Sequence, residues 1–293
     1  MKIFVTGATG FIGRAFCRAA TARGHSILAL SRDAQADMGP SVEVAVGSLA
    51  NTPWDKVKCF APDAALHLAW IAEPGVYLHS ADNVVWLEQS KVWFRQLLDL
   101  GTPYIAGTGT CIEYARSSEP LNEVHSALDP QFPYARAKVA LYEWLRDHGG
   151  ASWAWCRIFY PYGASEHPNR FTSSMIRQLR AGQPVVMNTP NSVRDYIHVE
   201  DVATALCQAI ETRTGGAINV GTGQGITIEA LARQLASLLH ADPELVQKNA
   251  AAAPDPLPCI VADAERLRQT GWQPQMAIRD GLQRLIDSMP LRT

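Results

Sequence analysis

Tyr134 and Lys138 stand four residues apart in the segment FPYARAK, and together their side chains could move a proton. Residues four apart on a helix lie on the same face. The phenol of tyrosine has a reference pKa of about 10, and a neighbouring ammonium group is expected to lower that pKa by stabilising the phenolate. The spacing therefore predicts a general acid/base pair. The same spacing also occurs in solvated surface pairs, so the prediction depends on its context.

A glycine-rich loop near the N-terminus supplies that context. The segment TGATGFIGRAF places Gly7, Gly10 and Gly13 between a predicted strand and a predicted helix. Glycine lets the backbone turn tightly and approach a diphosphate, which N–H groups at a helix N-terminus can bind. The loop predicts a dinucleotide site that includes Phe11 and Ile12 at the start of the helix. The alternative is an ordinary glycine-rich turn.

The end of the second predicted strand distinguishes the two nicotinamide dinucleotides. An NAD site usually has Asp or Glu about 20 residues after the loop, whereas this strand ends LALSR, with Ser31 and Arg32 at that position. Arg32 and Arg14 could bind a 2′-phosphate through charge-assisted hydrogen bonds. The sequence therefore favours NADP(H). The alternative is NAD(H), with Asp33 binding the ribose and both arginines solvated.

The composition narrows the range of partners. The chain has 293 residues, 47% hydrophobic and 18% charged, and a formal net charge of -2 with basic residues scattered along it. This balance predicts no nucleic-acid partner, and no segment approaches the ~20 apolar residues of a membrane span. The six cysteines occur singly, without metal-ligand spacing. We expect a cytoplasmic protein with a small-molecule substrate, no membrane partner and no metal.

Short apolar runs alternate with helical segments in the first half of the chain, as in KIFVTG, FIGRAFCRAATARG and SILALSR. This rhythm predicts an α/β fold, a Rossmann-type doubly wound parallel sheet with helices on both faces. After about residue 163 the helices are separated by turn-rich segments. We expect a dinucleotide-binding domain over residues 1–163 and a smaller C-terminal lobe over residues 164–293 that mainly binds substrate. A segment near 194–212 is expected to cross back onto the first domain.

Seven motifs together resemble the extended short-chain dehydrogenase/reductases, the NAD(P)-dependent nucleotide-sugar epimerase/dehydratase/reductase family. They are TGATGFIG, HLAW at 67–70, GTGTCIEY at 107–114, YARAK, RIFYPYG at 157–163, RDYIHVEDVA at 194–203 and INVGTG at 218–223. The resemblance implies that Tyr134 gives or takes the proton of a sugar oxygen and that Thr110 hydrogen-bonds this oxygen. It implies that Lys138 also binds a cofactor ribose. Further cofactor contacts are implied at Ser48, Leu49, Ala69 and Tyr160.

Several positions depart from the pattern of this family. Its dehydratases carry an Asp-Glu pair directly after the catalytic threonine, where this chain has Cys111 and Ile112, so a 4,6-dehydratase is not expected. Glu113 comes one position later, and on an extended segment its side chain would point to the opposite face. Tyr160 replaces a common asparagine, and Ser48 replaces the aspartate expected beside the adenine.

The substrate end of the site departs further. The resemblance implies that Arg194 grips a substrate diphosphate, but the family's usual second arginine is missing before the segment AAAAPDPLP. Arg170 could replace it or form a surface ion pair. Cys111 is a further substrate-binding candidate, and with His167 it could move protons beside a ketone, as in some epimerase-reductases of the branch. A solvent-facing His167 is the simpler interpretation.

These observations predict an NADP(H)-dependent oxidoreductase that reduces a keto group of an activated sugar, a nucleotide-linked 4-keto-6-deoxyhexose. One alternative is an NAD-dependent nucleotide-sugar 4-epimerase that uses the same catalytic residues. Another is a non-catalytic dinucleotide-binding interaction protein. The intact set of Thr110, Tyr134 and Lys138 argues against the last alternative.

Two long helices are predicted over roughly residues 80–100 and 133–147, and members of the branch commonly form dimers through such a pair. We expect a homodimer. The residues available beyond the catalytic face are Val139, Leu141, Tyr142, Trp144 and Leu145, unless they simply cover the sheet. His198 is expected to be a helix-entry residue. The residues expected to serve only in packing are Trp70, Trp86, Trp93, Trp153 and Trp155.

Overall fold

The computed structural model describes residues 1–150, 152–251 and 254–290. Residues 252 and 253, within the segment AAAAPDPLP, lie outside the described ranges, as do residues 151 and 291–293. The strands are β1 (Lys2–Thr6), β2 (Ser26–Ser31), β3 (Val42–Val46), β4 (Ala64–His67), β5 (Ile105–Thr110), β6 (Trp153–Ile158), β7 (Tyr160–Tyr162), β8 (Val185–Met187), β9 (Val193–Arg194), β10 (Tyr196–His198), β11 (Gly216–Val220), β12 (Ile226–Thr227), β13 (Val246–Lys248) and β14 (Cys259–Ile260).

The helices follow the predicted alternation with the strands. They are α1 (Phe11–Ala22), α2 (Trp54–Phe60), α3 (Asn83–Asp99), α4 (Pro133–His148), α5 (Phe171–Arg180), α6 (Val199–Glu211), α7 (Ile228–Leu238), α8 (Glu265–Arg268) and α9 (Ile278–Ser288). The two long predicted helices correspond to α3 and α4. His198 is the N-cap of α6, where its side chain accepts a hydrogen bond from the N–H of Glu200, so its predicted helix-entry role is confirmed.

Seven strands form one parallel sheet in the order β3-β2-β1-β4-β5-β6-β11. Successive strands are added outward from β1 in one direction as far as β3, and in the other direction from β4 onward. At such a reversal the two connecting segments leave the sheet on opposite faces and open a crevice at the carboxyl ends of the strands. The fold is the doubly wound sheet that the sequence predicts.

Alternating strand residues pack on the two faces of the sheet, because successive side chains in a strand point to opposite sides. Ile3 and Val5 lie in one core cluster with residues of α1 and α6, whereas Phe4 lies in another with residues of α3 and α4. Leu141 and Leu145 of α4 are fully buried in that second cluster. Their predicted availability to a partner is therefore wrong, and they cover the sheet instead.

The smaller lobe has its own apolar core, formed by residues of α5, α7 and α9. Its strands make short sheets: β8 pairs with β13, and β9 lies between β12 and β14. The chain also returns to the large sheet. The helix α6 packs against α1, and β11 extends the sheet beside β6. The predicted crossing segment near 194–212 contains α6, and β11 follows it into the sheet.

No helix in the described part of the chain is both long and apolar enough to cross a membrane. Within the same ranges, acidic, histidine and cysteine side chains form no cluster of three or more that could hold a metal ion.

Candidate active site

A cleft of about 570 Å³ opens at the carboxyl ends of β1, β4 and β5. Residues from the glycine loop to the start of α5 line it, so both parts of the chain contribute. The predicted site residues that line the cleft are Gly7, Gly10, Phe11, Ile12, Gly13, Ser31, Arg32, Ser48, Leu49, Ala69, Thr110, Cys111, Tyr134, Lys138, Tyr160 and Arg170. Arg14 and Arg194 do not line it.

The loop between β1 and α1 forms a tight backbone cradle. A Cβ atom on Gly13 would lie 2.1 Å from the carbonyl oxygen of Gly7 and 2.6 Å from the Cα atom of Ala8, so no larger residue fits there. Gly10 is the N-cap of α1, and no side chain caps the helix at this end. The first N–H groups of a helix need acceptors, and here they lie beside the cleft. The cradle therefore fits the diphosphate of a dinucleotide.

The carboxyl end of β2 presents one cation to the cleft. Arg32 is exposed and lines the cleft, and Ser31 beside it is buried. The hydroxyl of Ser31 donates to the carbonyl oxygen of Asp33 at 2.9 Å. The Asp33 carboxylate accepts a hydrogen bond from the N–H of Gln35 at 2.9 Å and does not line the cleft. Asp33, the alternative ribose ligand, thus lies outside the lining of the cleft.

Arg14, the second arginine predicted at this end, points elsewhere. Its guanidinium donates to the carbonyl oxygens of Thr9 at 3.0 Å and Asp37 at 2.8 Å. These bonds tie the loop after β2 to the glycine loop. The structure therefore places Arg32 alone, rather than the predicted pair, where it could meet a phosphate.

Tyr134 and Lys138 come from the first two turns of α4. The helix begins at Pro133, since a proline at the first helical position has no N–H that needs a partner. The N–H of Tyr134 donates to the carbonyl oxygen of Leu78 at 3.2 Å, which attaches the helix start to the loop after β4. Thr110 is the last residue of β5. The structure therefore brings all three predicted catalytic residues to one cleft.

Burial dominates the electrostatics of this set. The Lys138 Nζ atom lies 5.9 Å from the centre of the Tyr134 ring and donates to the carbonyl oxygen of Thr108 at 2.9 Å. Burial lowers the pKa of Lys138 to about 7, while the charge of Glu113 acts in the opposite direction. Burial also raises the pKa of Tyr134 above its ordinary value. In this arrangement burial outweighs the predicted lowering of the Tyr134 pKa by Lys138, and the phenol is protonated at neutral pH.

Aromatic residues near the catalytic pair were missed as site residues by the sequence analysis. The Lys138 Nζ atom lies 3.9 Å from the centre of the Trp70 ring, and the Tyr77 ring packs edge-on against Tyr134 with 4.9 Å between ring centres. Trp70 and Trp86 pack against the core, as predicted, and they also line the cleft. The available signal was position: Trp70 follows β4 closely at the carboxyl edge of the sheet, where doubly wound folds bind ligands.

Glu113 forms a buried ion pair with Arg157 behind the catalytic threonine. Its Oε2 atom accepts from the Nε of Arg157 at 2.7 Å, and its Oε1 atom accepts from the backbone N–H of Thr110 at 2.8 Å. The indole of Trp155 donates to the same carboxylate at 3.2 Å. A Cβ atom on Gly109 would lie 2.3 Å from the Glu113 Oε1 atom, so the carboxylate needs a glycine there. Glu113 does not line the cleft, although Cys111–Glu113 form a 3-10 turn and not the extended segment on which its predicted orientation depended.

Cys111 lines the cleft, but the predicted alternative partnership with His167 is not formed. Cys111 is 4% exposed, and burial raises the pKa of its thiol to about 12. His167 is exposed and does not line the cleft, and its Nδ1 atom accepts from the N–H of Asn169 at 3.1 Å. The structure thus agrees with the solvent-facing interpretation of His167.

The two arginines predicted to bind substrate have different surroundings. Arg194 is buried and paired with Asp255, whose carboxylate also accepts from the hydroxyl of Ser192 at 2.6 Å. Its guanidinium lies 5.5 Å from the centre of the Tyr160 ring, outside the cleft lining. Arg170 lines the cleft and has no ion pair with any residue in the described ranges.

The charges of the cleft have one sign. Among the residues that the structure describes, its lining contains the cations Arg32, Lys138 and Arg170 and no aspartate or glutamate. A cleft with low-dielectric walls and charges of one sign concentrates ligands of the opposite sign. The site is therefore suited to an anionic ligand.

Comparison with known proteins adds to this geometry. Residues 3–221 match the model of the NAD dependent epimerase/dehydratase family. The chain is similar to GDP-L-fucose synthase 1 of Arabidopsis thaliana, with 26% identity over 98% of this chain and 92% of that protein. It is also similar to dTDP-4-dehydro-6-deoxyglucose reductase of Escherichia coli, with 26% identity over 67% of this chain and 65% of that protein. The structure of Thermus thermophilus UDP-glucose 4-epimerase in complex with NAD shares the fold, with a TM-score of 0.82, 24% identity and 98% of both chains covered.

Proposed function

Since the chain belongs to the NAD dependent epimerase/dehydratase family, we propose that it is an NADP(H)-dependent oxidoreductase that reduces the keto group of a nucleotide-linked sugar. The observation that carries this proposal is the meeting of Thr110, Tyr134 and Lys138 in a cleft that also contains a dinucleotide cradle. A protein that only binds a dinucleotide would not need a positioned proton donor beside it.

Each catalytic side chain has its own task in the proposed reaction. Tyr134 holds its proton at neutral pH because burial raises its pKa, and it donates this proton to the carbonyl oxygen of the sugar. The Thr110 hydroxyl hydrogen-bonds the same oxygen and orients it. The Lys138 ammonium stabilises the tyrosinate that proton transfer leaves behind. The nicotinamide, when bound, supplies the redox chemistry.

The charges of the cleft support NADP(H) over NAD(H). Arg32 lies at the carboxyl end of β2, where a 2′-phosphate would be recognised, and no carboxylate among the described lining residues would repel that phosphate. The glycine loop would hold the diphosphate through the N–H groups at the start of α1. Ser48 and Leu49 line the cleft where the resemblance implies contact with the adenine.

The named relatives support a nucleotide-linked 4-keto-6-deoxyhexose as the substrate class, because one of them is dTDP-4-dehydro-6-deoxyglucose reductase. The raised pKa of the Cys111 thiol supports simple reduction of the ketone. It argues against an additional step in which Cys111 removes a proton from a carbon beside that ketone. With a pKa raised by burial to about 12, this thiol supplies no thiolate base at neutral pH. Arg194 forms an ion pair with Asp255, and this pair would have to break before Arg194 could bind a substrate diphosphate.

We also propose that the protein forms a homodimer and is located in the cytoplasm. The exposed face of α3 carries Val84, Val85 and Val92, each more than half exposed. Tyr142 and Trp144 on the neighbouring α4 are partly exposed as well. A second copy of the chain would remove this apolar surface from water.

The proposal can be tested with the purified protein. Nucleotide-linked 4-keto-6-deoxyhexoses on several different nucleotides would be offered with NADPH or NADH, and oxidation of the coenzyme would be followed by absorbance. We expect turnover with NADPH and one sugar nucleotide. A protein that carries tightly bound NAD through purification and interconverts two sugar epimers, without net coenzyme oxidation, would instead be the 4-epimerase.

A further inference from the structure

We infer that Arg170, carried by the smaller lobe, binds the diphosphate of the dinucleotide together with the glycine loop. This inference rests on the proposed function and changes the predicted role of Arg170 from substrate ligand to cofactor ligand. It adds to the cofactor site a residue that neither the glycine loop nor the large sheet provides.

The position of Arg170 supports this assignment. The residue directly precedes α5, and its guanidinium carbon lies 5.7 Å from the centre of the Phe11 ring. Phe11 is the first residue of α1, the helix whose N-terminal N–H groups form the diphosphate cradle. The guanidinium therefore lies beside the start of this helix, and both residues line the cleft.

The other neighbours of Arg170 also lie near the expected path of the cofactor. Its charge acts to lower the pKa values of Tyr77 and Tyr134, although burial raises both of them further. Arg170 lines the same cleft as both tyrosines and the diphosphate cradle. A dinucleotide that reaches from the cradle to Tyr134 would occupy the same cleft that Arg170 lines.

The remaining cations of the cleft do not compete for this task. Arg32 lies at the end of β2, at the position for a 2′-phosphate, and the Lys138 Nζ atom is held by the carbonyl oxygen of Thr108 and the ring of Trp70. Arg170 has no ion pair within the described ranges and is half-buried, so its charge is available to an anion in the cleft. A guanidinium matches the paired oxygens of a diphosphate through charge-assisted hydrogen bonds.

Binding measurements can test this assignment without knowledge of the sugar. The affinities of NADPH, NADH and 2′-AMP would be measured by calorimetry for the wild type, Arg170→Gln, Arg170→Lys and Arg32→Gln. We expect Arg170→Gln to weaken NADPH and NADH by about 10- to 100-fold, because both carry the diphosphate. It should leave 2′-AMP, which lacks a diphosphate, within about twofold of the wild type. Arg170→Lys should recover part of the loss.

Arg32→Gln and one further variant separate local from general effects. Arg32→Gln should weaken 2′-AMP and NADPH but not NADH. Arg279→Gln removes one positive charge from an exposed position at the start of α9 in the same lobe and should change none of the three affinities. Thermal unfolding would show whether each variant is folded. If Arg170→Gln does not fold, Arg170→Lys still tests the role of Arg170.

The possible failures differ between the two proposals. If the wild type binds NADPH and both Arg170 variants bind it equally well, Arg170 does not serve the cofactor, and the inference is overturned while the proposed function stands. A wild type that binds neither NADPH nor NADH would overturn both.

Discussion

At the scale of single residues, the site combines a protonated phenol with an ammonium group that burial makes easy to deprotonate. Lys138 is 2% exposed and has a pKa lowered to about 7, while burial moves the pKa of Tyr134 in the opposite direction. Both shifts have the same physical cause, since burial disfavours the charged form of each group. In this arrangement Tyr134 is prepared to donate a proton rather than to accept one.

Replacing Tyr134 with phenylalanine tests this role directly. The change removes the hydroxyl but keeps the ring that packs against Tyr77. We expect kcat to fall by about 100- to 10,000-fold, because general acid catalysis contributes a factor of that size, while the affinity for NADPH changes little. Steady-state NADPH oxidation and calorimetry would measure the two effects. Full turnover in this variant would remove Tyr134 from the mechanism.

The lowered pKa of Lys138 predicts that the stability of the protein depends measurably on pH. This pKa is about 7 in the folded protein, against an ordinary value of 10.5 for a lysine side chain. Between these values the unfolded chain binds a proton that the folded protein does not, so the free energy of unfolding rises with pH. Lys138→Met removes this titration. From pH 6 to pH 10 we expect the wild type to gain roughly 4 kcal/mol relative to the variant.

Urea unfolding at the two pH values would measure this difference, with Lys58→Met, at an exposed position, as the control. At pH 6 the variant should be more stable than the wild type and should have lost its turnover. If wild type and variant show the same dependence on pH, then Lys138 keeps an ordinary pKa and the assigned effect of burial is incorrect.

At the scale of elements, the end of β5 is fixed to β6 by charge as well as by backbone hydrogen bonds. Glu113 is fully buried and Arg157 is 1% exposed, and the guanidinium lies between the rings of Tyr114 and Tyr142, at 4.8 Å and 4.7 Å from their centres. Because Glu113 also accepts from the N–H of Thr110, this pair holds the catalytic strand end in place.

Removing one partner of this pair should be costly. Glu113→Ala leaves the Arg157 charge buried without its carboxylate, and we expect the free energy of unfolding to fall by about 3 to 5 kcal/mol. Changing both partners, Glu113→Leu with Arg157→Met, should recover part of that loss because no unpaired charge remains. Urea unfolding would measure each variant.

An exposed ion pair provides the control for this experiment. The side chains of Arg146 and Asp147 are 50% and 56% exposed, so Asp147→Ala should leave stability unchanged. Equal losses from Glu113→Ala and from the double change would mean that the backbone contact of Glu113, and not its charge, carries the effect.

At the scale of the whole molecule, the apolar face of α3 predicts self-association. Val85 and Val92 are one heptad apart and are 53% and 61% exposed, so both lie on one side of the helix. We expect the wild type to be a dimer by size-exclusion chromatography with light scattering. Val85→Glu together with Val92→Glu should make it a monomer, because two charges would have to be buried at the interface.

Val186→Glu is the matched control, since Val186 is 54% exposed but lies on β8 of the smaller lobe. It should leave the dimer intact. A wild-type protein that is a monomer at all concentrations tested would contradict the predicted role of this face.

The sequence by itself determined the fold class, and most of the site residues predicted from it line the cleft. The alternation of apolar strands with helices and the position of the glycine loop depend on local patterns, which the chain carries in its order of residues. For the same reason Tyr134 and Lys138 could be placed on one helical face, and Thr110 followed from the motif that it belongs to.

Only the tertiary structure decided the electrostatic state of the site and the partners of its charges. The ion pairs of Glu113 with Arg157 and of Arg194 with Asp255 join residues 44 and 61 positions apart in the chain. The shifts in the pKa values of Tyr134 and Lys138 depend on how deeply packing buries them. Burial and distant pairing arise from the way separate elements pack together, and local sequence patterns contain neither quantity.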